Sequence, residues 1–292
     1  MEWNQLQKFL AVAREENFSK AAVQLNMTQP SLSQTIKRLE SELGYSLFIR
    51  DGKKIHLNES GKIFLQTITE MNLLMENTKL KLEEINNIHH PQVTILFATA
   101  SKQLPDLLLY LKQRNPQTQY QIHQWQKDKT FEDADIQLLS CTQTETLPET
   151  DEILLHEKIL LALPVGHHLL KKETIMIKDL LHEDFISLNE YWELGRIVKH
   201  EMEKRRFNPR ETMIVDNPNM LRELLNAHLG IAFVPARSWD NFGGESIVLR
   251  EVEDLHLSRT IYLHINPHKY LTMEQKECIQ GIKEYFNMKY IS

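Results

Sequence analysis

The sequence has little of what staples or breaks a fold: its 292 residues include two cysteines, nine glycines and ten prolines. Cys141 and Cys278 lie far apart, which excludes a disulfide scaffold and any all-cysteine zinc site, since that needs four thiolates. Both read as buried packing residues. The scarcity of Gly and Pro, beside 41% hydrophobic and 25% charged residues, excludes collagen-like, low-complexity and compositionally disordered chains. Nowhere do 18 apolar residues run together, so no membrane-spanning helix is expected. The opening MEWNQLQKFL lacks a basic stretch followed by an apolar one. Export is therefore not expected, and the expected location is cytoplasmic, without a membrane partner.

Motifs of chemistry are missing as well. The chain holds no Gly-x-Gly-x-x-Gly, phosphate loop, His-Glu-x-x-His or Gly-x-Ser-x-Gly. His167-His168 and the scattered acids show no motif geometry, and His89-His90 has no partner at ligand spacing, so these histidines read as surface or loop residues. No catalytic set, metal or cofactor is expected, and an enzyme is the weaker class.

What is present is uneven. The formal net charge is −6, but residues 1–60 carry eight Lys and Arg against seven Asp and Glu, and the remaining residues carry 26 against 33. Two small basic patches lie in the first part, at Lys37-Arg38 and at Arg50, Lys53 and Lys54. The length exceeds what one core usually serves, so two or three structural units are expected.

Leu6, Phe9, Leu10 and Ala13 recur at helical spacing and predict a first helix. Ser19 is the expected cap of a short second helix carrying Ala21, Ala22 and Leu25. Thr28 is the expected cap of a third, with Pro30 tolerated in its first turn. Leu32, Ile36, Leu39 and Leu43 form the apolar stripe of that helix, leaving Pro30, Ser33, Gln34 and Lys37 roughly opposite. A short turn between two such helices is a helix-turn-helix, and the polar face suits the major groove. A Gln amide pairs with adenine N6 and N7, a Ser hydroxyl bonds either base type, and Lys37 and Arg38 would hold phosphates. Gly44 ends the helix, and residues 48–57 read as two short strands around Asp51-Gly52, a basic wing.

Phe18-Ser19-x-Ala21-Ala22-x-x-Leu25, Thr28-Gln29-Pro30-Ser31-Leu32-Ser33, Leu39-Glu40-x-x-Leu43-Gly44 and Leu47-Phe48-x-Arg50 together resemble the winged helix-turn-helix of LysR-type transcriptional regulators. The resemblance implies that residues 1–58 bind double-stranded DNA. Thr28, Gln29, Pro30, Ser31, Ser33, Gln34, Lys37 and Arg38 fall at its recognition helix, and Arg50, Lys53 and Lys54 at its wing. Gln34 departs from the arginine that many members carry there.

From Glu59 a heptad follows, with Phe64, Ile68, Met71, Met75, Thr78, Leu82 and Ile85 spaced alternately by four and three. It predicts a pairing helix over residues 59–90, closed by Pro91. Phe64, Ile68, Met71, Met75, Leu82 and Ile85 are its candidate dimerisation residues, and the resemblance likewise implies a linker helix that pairs two subunits into a homodimer or homotetramer.

Beyond Val93 short β-branched runs alternate with helical stretches, an α/β pattern. The strands expected there include 153–156 and 159–164 as separate elements, and the last helix starts at a Thr272/Gln275 capping box. Thr99-Ala100-Ser101 lies between the first strand and its helix, where free N–H groups meet two hydroxyls, either as ligand contacts or merely as caps. Leu104-Pro105, Leu163-Pro164 with His167, Asp179-Leu180 and Leu229-Gly230-Ile231-Ala232-Phe233-Val234-Pro235 extend the resemblance over the whole chain. It implies a two-lobed, periplasmic-binding-protein-like effector domain at 91–292, with lobes near 92–161 plus 266–292 and near 162–265. The expected fold is thus α+β and multi-domain. The candidate effector contacts are Thr99, Ala100, Ser101, Gln124, Trp125, Asn217 and Val234. Gln124-Trp125-Gln126 lacks the usual glycine, and His228 replaces a small residue. The implied function is a transcriptional regulator modulated by a small anionic or polar effector, with RNA polymerase as a further candidate partner. The competing reading is a cytosolic solute-binding protein with an N-terminal protein-interaction module.

Overall fold

The apolar residues at 6, 9, 10 and 13 wind into α1 (Trp3–Glu15), whose buried face meets α2 (Phe18–Gln24) and α3 (Gln29–Leu43). The computed structural model describes residues 1–51, 54–86, 88, 91–125, 134–142, 145–239, 244 and 246–290. Lys53, His89, His90 and Gln126 lie outside the described residues, as do the side chains of Arg50, Asp51 and Lys54. The chain divides into two compact units, Met1–Ile88 and His89–Ser292.

In the first unit the cap of α2 is Asn17, not Ser19. The Asn17 Oδ1 accepts from the N–H groups of Ser19 and Lys20 at 2.9 and 3.1 Å. An N-cap must precede the helix with extended backbone; Asn17 has φ −153°, and Ser19 already sits inside the first turn. Thr28 caps α3 as expected, its hydroxyl accepting from the Ser31 N–H at 3.4 Å, and Gly44 ends it in the left-handed region at φ 79°. β1 (Phe48–Asp51) and β2 (Lys54–Leu57) pair antiparallel with Asp51 opposite Lys54. Glu40 fixes the start of this wing, because its Oε1 accepts from the Leu47 N–H at 2.7 Å.

The linker residues form α4 (Glu59–Ile85), capped by Asn58, whose Oδ1 accepts from the Gly61 N–H at 2.8 Å. A Cβ at Gly61 would collide with the Leu47 carbonyl oxygen, so only glycine lets α4 start this close to the wing. Phe9 centres the unit. Its ring lies 5.6 Å from Phe48 and 4.9 Å from Phe64, and Leu32, Ile36, Leu39 and Ile68 close the same core.

The second unit is built on one seven-stranded sheet among the described residues. β3 (Gln92–Phe97) pairs parallel with β4 (Gln119–Gln124) and β5 (Ile136–Cys141), linked through α5 (Leu104–Arg114). β6 (Glu152–Pro164) and β11 (Leu257–His264) then run antiparallel to each other. β9 (Ala232–Pro235) and β10 (Ile247–Arg250) both pair with β6. β7 (Asp184–Leu188) and β8 (Arg210–Val215) form a separate parallel pair, with α6 (Glu193–Lys204) and α7 (Pro218–Asn226) against them. α8 (Met273–Tyr290) begins at the expected capping box, the Thr272 N–H donating to Gln275 Oε1 at 3.0 Å.

Two hydrophobic cores share this unit. One holds Val93, Leu107, Leu155, Ile261 and Cys278; the other holds Ile159, Leu161, Leu194, Phe233 and Leu257. β6 and β11 pass through both, and the cores change over between Leu155 and Ile159 and between Leu257 and Ile261. The expected separate strands at 153–156 and 159–164 are one. The polar interruption His156-Glu157-Lys158 is not a turn: Glu157 is buried within the strand and pairs with buried Arg259 of β11, Oε1 to Nε at 2.8 Å. Ser238 completes the set, its hydroxyl donating to Glu157 Oε1 at 2.7 Å and its N–H to Oε2 at 2.8 Å. A buried charge is tolerated only when paired and hydrogen-bonded, and here each Glu157 oxygen is used.

Candidate DNA interface and effector cleft

α3 buries Leu32, Ile36 and Leu39 to at most 1% exposure. Its other side is open: Gln29, Pro30, Ser31, Gln34 and Lys37 are exposed and Ser33 is half-buried. Lys37 makes no ion pair among the described residues. Arg38 is different, because its Nε pairs with Glu42 Oε1 at 3.2 Å. Glu42 also meets the N-terminal ammonium at 2.6 Å, and this contact, more than the Gln5 and Arg38 ones, holds its carboxyl below the usual range. Arg38 is thus partly committed within the chain. The Thr28 hydroxyl is committed to its cap. On the wing, His56 Nδ1 lies 2.9 Å from Glu16 Oε2 and ties β2 to the end of α1.

On α4 the heptad divides. Ile68, 1% exposed, belongs to the core of its own unit, and Phe64 packs beside it. Ile68 is therefore withdrawn from the pairing seam: the three-helix layer already covers it. Met71, Met75, Leu82 and Ile85 stay between 42% and 76% exposed.

In the second unit a narrow cleft lies where the two cores meet. Thr99, Ala100, Ser101 and Gln124 line it from one side, and Leu188, Trp192, Glu193, Pro218, Trp239 and Arg259 complete the wall. Its volume is ≈ 20 Å³, which admits about one water. The Thr99 hydroxyl oxygen is buried with no hydrogen-bond partner, so it caps nothing; α5 begins later, after a 3₁₀ turn at Ser101–Gln103. Glu193 Oε1 is also buried and unpartnered, while Oε2 pairs with Arg196. Burial pushes the Glu193 carboxyl up, against the opposing pull of Arg196.

Of the remaining candidates, Trp125 reaches the cleft only through its ring contact with Trp192, 5.8 Å between centroids. Asn217 is the cap of α7, its Oδ1 accepting from the Asn219 N–H at 2.7 Å, beside the lining residue Pro218. Val234 is not a contact. It sits within β9 opposite Leu160 and is wholly buried in the core, because a four-residue strand between packed neighbours leaves no face open. Trp192, Glu193, Trp239 and Arg259 were not foreseen. Only Arg259 left a signal, as a charge inside an apolar strand pattern. A larger cavity of ≈ 340 Å³ lies beneath α6 against Phe185, Met202 and Phe207, and shares Leu188 and Leu194 with the wall of this cleft.

The chemistry here is that of binding. Burial pushes the Cys141 thiol up to about 11 and the Cys278 thiol up to about 12, so neither is a thiolate at neutral pH. His167 and His168, read as unconnected loop residues, in fact meet Glu183, with Nε2 atoms 3.3 and 3.0 Å from its two oxygens. Burial holds His167 below the usual imidazole range.

Residues 3–62 match the family described as "Bacterial regulatory helix-turn-helix protein, lysR family", and residues 92–287 match the "LysR substrate binding domain". The chain belongs to the LysR family. It is accordingly a DNA-binding transcriptional regulator with an effector-binding domain, and the solute-binding reading is set aside. Among LysR relatives, it is 32% identical over 245 residues to an uncharacterized HTH-type transcriptional regulator, YybE of Bacillus subtilis, covering 80% of this chain and 82% of that protein. It is 26% identical to the transcriptional dual regulator GltC of the same organism, over 98% of each chain. The fold is that of full-length OxyR from Pseudomonas aeruginosa, with a TM-score of 0.65 at 17% identity over 100% of this chain and 96% of that one. CbnR complexed with its target DNA shares the fold with a TM-score of 0.56 at 18% identity, over 97% and 99% of the two chains. Among the described residues no helix is long and apolar enough to cross a membrane.

Proposed function

We propose that residues 1–58 read duplex DNA through α3, with Ser33 and Gln34 on base edges and Lys37 on phosphate. Arg50, Lys53 and Lys54 of the wing take flanking phosphates. The observation that carries this reading is the division of α3 itself: one face is buried to 1% or less, and the opposite face exposes the Gln34 amide, Ser31 and the Lys37 ammonium, which makes no ion pair among the described residues. Residues 59–90 pair two copies through Met71, Met75, Leu82 and Ile85, giving the homodimer or homotetramer that places two recognition helices on one operator.

Residues 91–292 sense a small anionic or polar metabolite in the cleft at Thr99, Ala100, Ser101 and Gln124. Two features support a polar occupant. Thr99 and Glu193 each present a buried oxygen without a partner. Behind Trp239 the Arg222 guanidinium, 4.8 Å over the indole ring and with a buried, unpartnered Nη1, supplies positive charge. The cleft as it stands holds about one water, so a larger ligand acts by favouring a widened arrangement over this narrow one. We place the regulator in the cytoplasm, where it meets DNA and RNA polymerase.

The test begins with a random pool of duplex DNA. The full chain retains a two-half-site sequence with steep salt dependence, and a thermal-shift screen of small carboxylates and polar metabolites finds compounds that move the parent but not Thr99→Val. Retention without sequence enrichment would remove the reading role of α3.

A further inference from the structure

We propose that His167, His168 and Glu183 form a binding site for a divalent transition-metal ion of the zinc class. The three side chains come from two separate stretches. His167 and His168 follow the end of β6 and open a 3₁₀ turn at His168–Lys171, whereas Glu183 immediately precedes β7. Their ligand atoms all lie within 4.8 Å of one another. His167 Nε2 is 3.3 Å from Glu183 Oε2, and His168 Nε2 is 3.0 Å from Oε1. Zinc–nitrogen and zinc–oxygen bonds of about 2.1 Å at tetrahedral angles place neighbouring ligand atoms about 3.4 Å apart. The two histidine–carboxylate spacings lie within a few tenths of an ångström of this value, and drawing in the widest pair, within 4.8 Å, takes side-chain shifts on the order of an ångström.

Ligand chemistry selects the ion. Two imidazoles and one carboxylate suit zinc, nickel or copper and do not suit calcium or magnesium, which take oxygen ligands. Geometry also separates this trio from a plain ion pair. Glu183 is 12% exposed, and each of its two oxygens faces a different imidazole, Oε2 that of the 17%-exposed His167 and Oε1 that of His168. The His168 ring, 65% exposed, lies with its centroid 4.7 Å from that of His167, tilted by 30°. Two protonated imidazoles that close repel each other, whereas one cation draws on both neutral rings at once. The exposed side of His168 leaves room for the water that completes the coordination. One cost is visible. His167 Nδ1 now accepts from the Leu169 N–H at 3.3 Å, and ligation through Nε2 moves the ring proton to Nδ1 and breaks that long bond. The ion ties the exit of β6 to the start of β7, so its binding is coupled to the stability of the core around Leu163, Leu169 and Phe185.

The experiment uses the full chain, freed of metal with a chelator and dialysed, and titrates zinc chloride by calorimetry beside a thermal melt. The parent takes up one ion per chain with a rise in Tm. His168→Ala, a change at an exposed side chain, and Glu183→Gln each weaken uptake at least tenfold and abolish the rise. Cobalt in place of zinc gives visible d–d absorption of tetrahedral intensity in the parent and not in His168→Ala. Absence of uptake by the parent overturns the assignment. So does uptake by His168→Ala equal to the parent's, which would place the ion among the other histidines of the chain.

Discussion

The two ends of α4 carry the same apolar spacing and meet opposite fates. Phe64 and Ile68 are covered by the helices of their own unit, and Met71, Met75, Leu82 and Ile85 are exposed among the described residues. A heptad specifies a stripe, not what lies over it. The same contrast recurs elsewhere: the buried and open faces of α3, and the fully engaged Glu157 against the unpartnered Thr99 hydroxyl. Groups whose partners are inside the chain hold the fold; the groups left without one are those through which DNA, a second copy or an effector is proposed to act.

Substitutions at matched positions break or sharpen this contrast. The largest effect is expected from Ile68→Lys, which removes a fully covered aliphatic side chain and buries an unpaired ammonium, at a cost of about 3–5 kcal/mol. Urea unfolding of the first unit checks it; a midpoint within error of the parent would mean that Ile68 is not core. Met75→Lys with Leu82→Lys places charges on the uncovered part of the same stripe. Helicity and the chain's own stability should hold to within about 0.5 kcal/mol, whereas sedimentation velocity shifts to the smaller species because an unpaired charge in a closed seam costs about 3 kcal/mol. An unaltered sedimentation profile would locate self-association elsewhere.

On α3, Gln34→Ala should cost about 1–3 kcal/mol at the selected sequence and little at a scrambled one. Lys37→Ala should weaken both alike and reduce the salt slope by about one. Equal losses for Gln34→Ala on matched and scrambled duplexes would remove its base-reading role. The smallest effect on the fold belongs to Thr99→Val. Its hydroxyl pairs with nothing, so an isosteric apolar replacement should change stability by about 0.5 kcal/mol or less, in either direction, while the thermal shift with an effector is lost. A melt lowered by several kcal/mol would show that this oxygen has a structural partner after all.

The first unit was the more legible because its signals are local. Thr28 and Gly44 act within a turn of their own residues, the paired strands Phe48–Asp51 and Lys54–Leu57 are near neighbours in sequence, and the 4–3–4 stripe of α3 needs one helix to be read. Even there, adjacent polar residues misled: Asn17 and Ser19 are both good caps, and only the backbone angles decide between them. In the second unit the deciding neighbours are remote. Glu157 looked like the end of a strand because Arg259, its partner, lies 102 residues away. Val234 looked available because the strand order that buries it is not written locally. His167-His168 looked solitary because Glu183 returns beside it only when β7 is placed. Thr99, Ser101 and Gln124 could be placed at the carboxyl ends of their strands from the pattern alone; Trp192, Glu193 and Trp239, which line the same cleft, could not.

Gly61 has a reach out of proportion to its size. The helix that starts beside it has 27 residues and is about 40 Å long at 1.5 Å per residue. Its heading is set by how closely its first turn approaches the Leu47 carbonyl, which the missing Cβ permits. A methyl group at this pivot that swung the axis by about 10° would carry the far end sideways by about 7 Å, more than one helical turn. The helix is a lever arm, and its fulcrum is a single hydrogen atom where other residues have carbon.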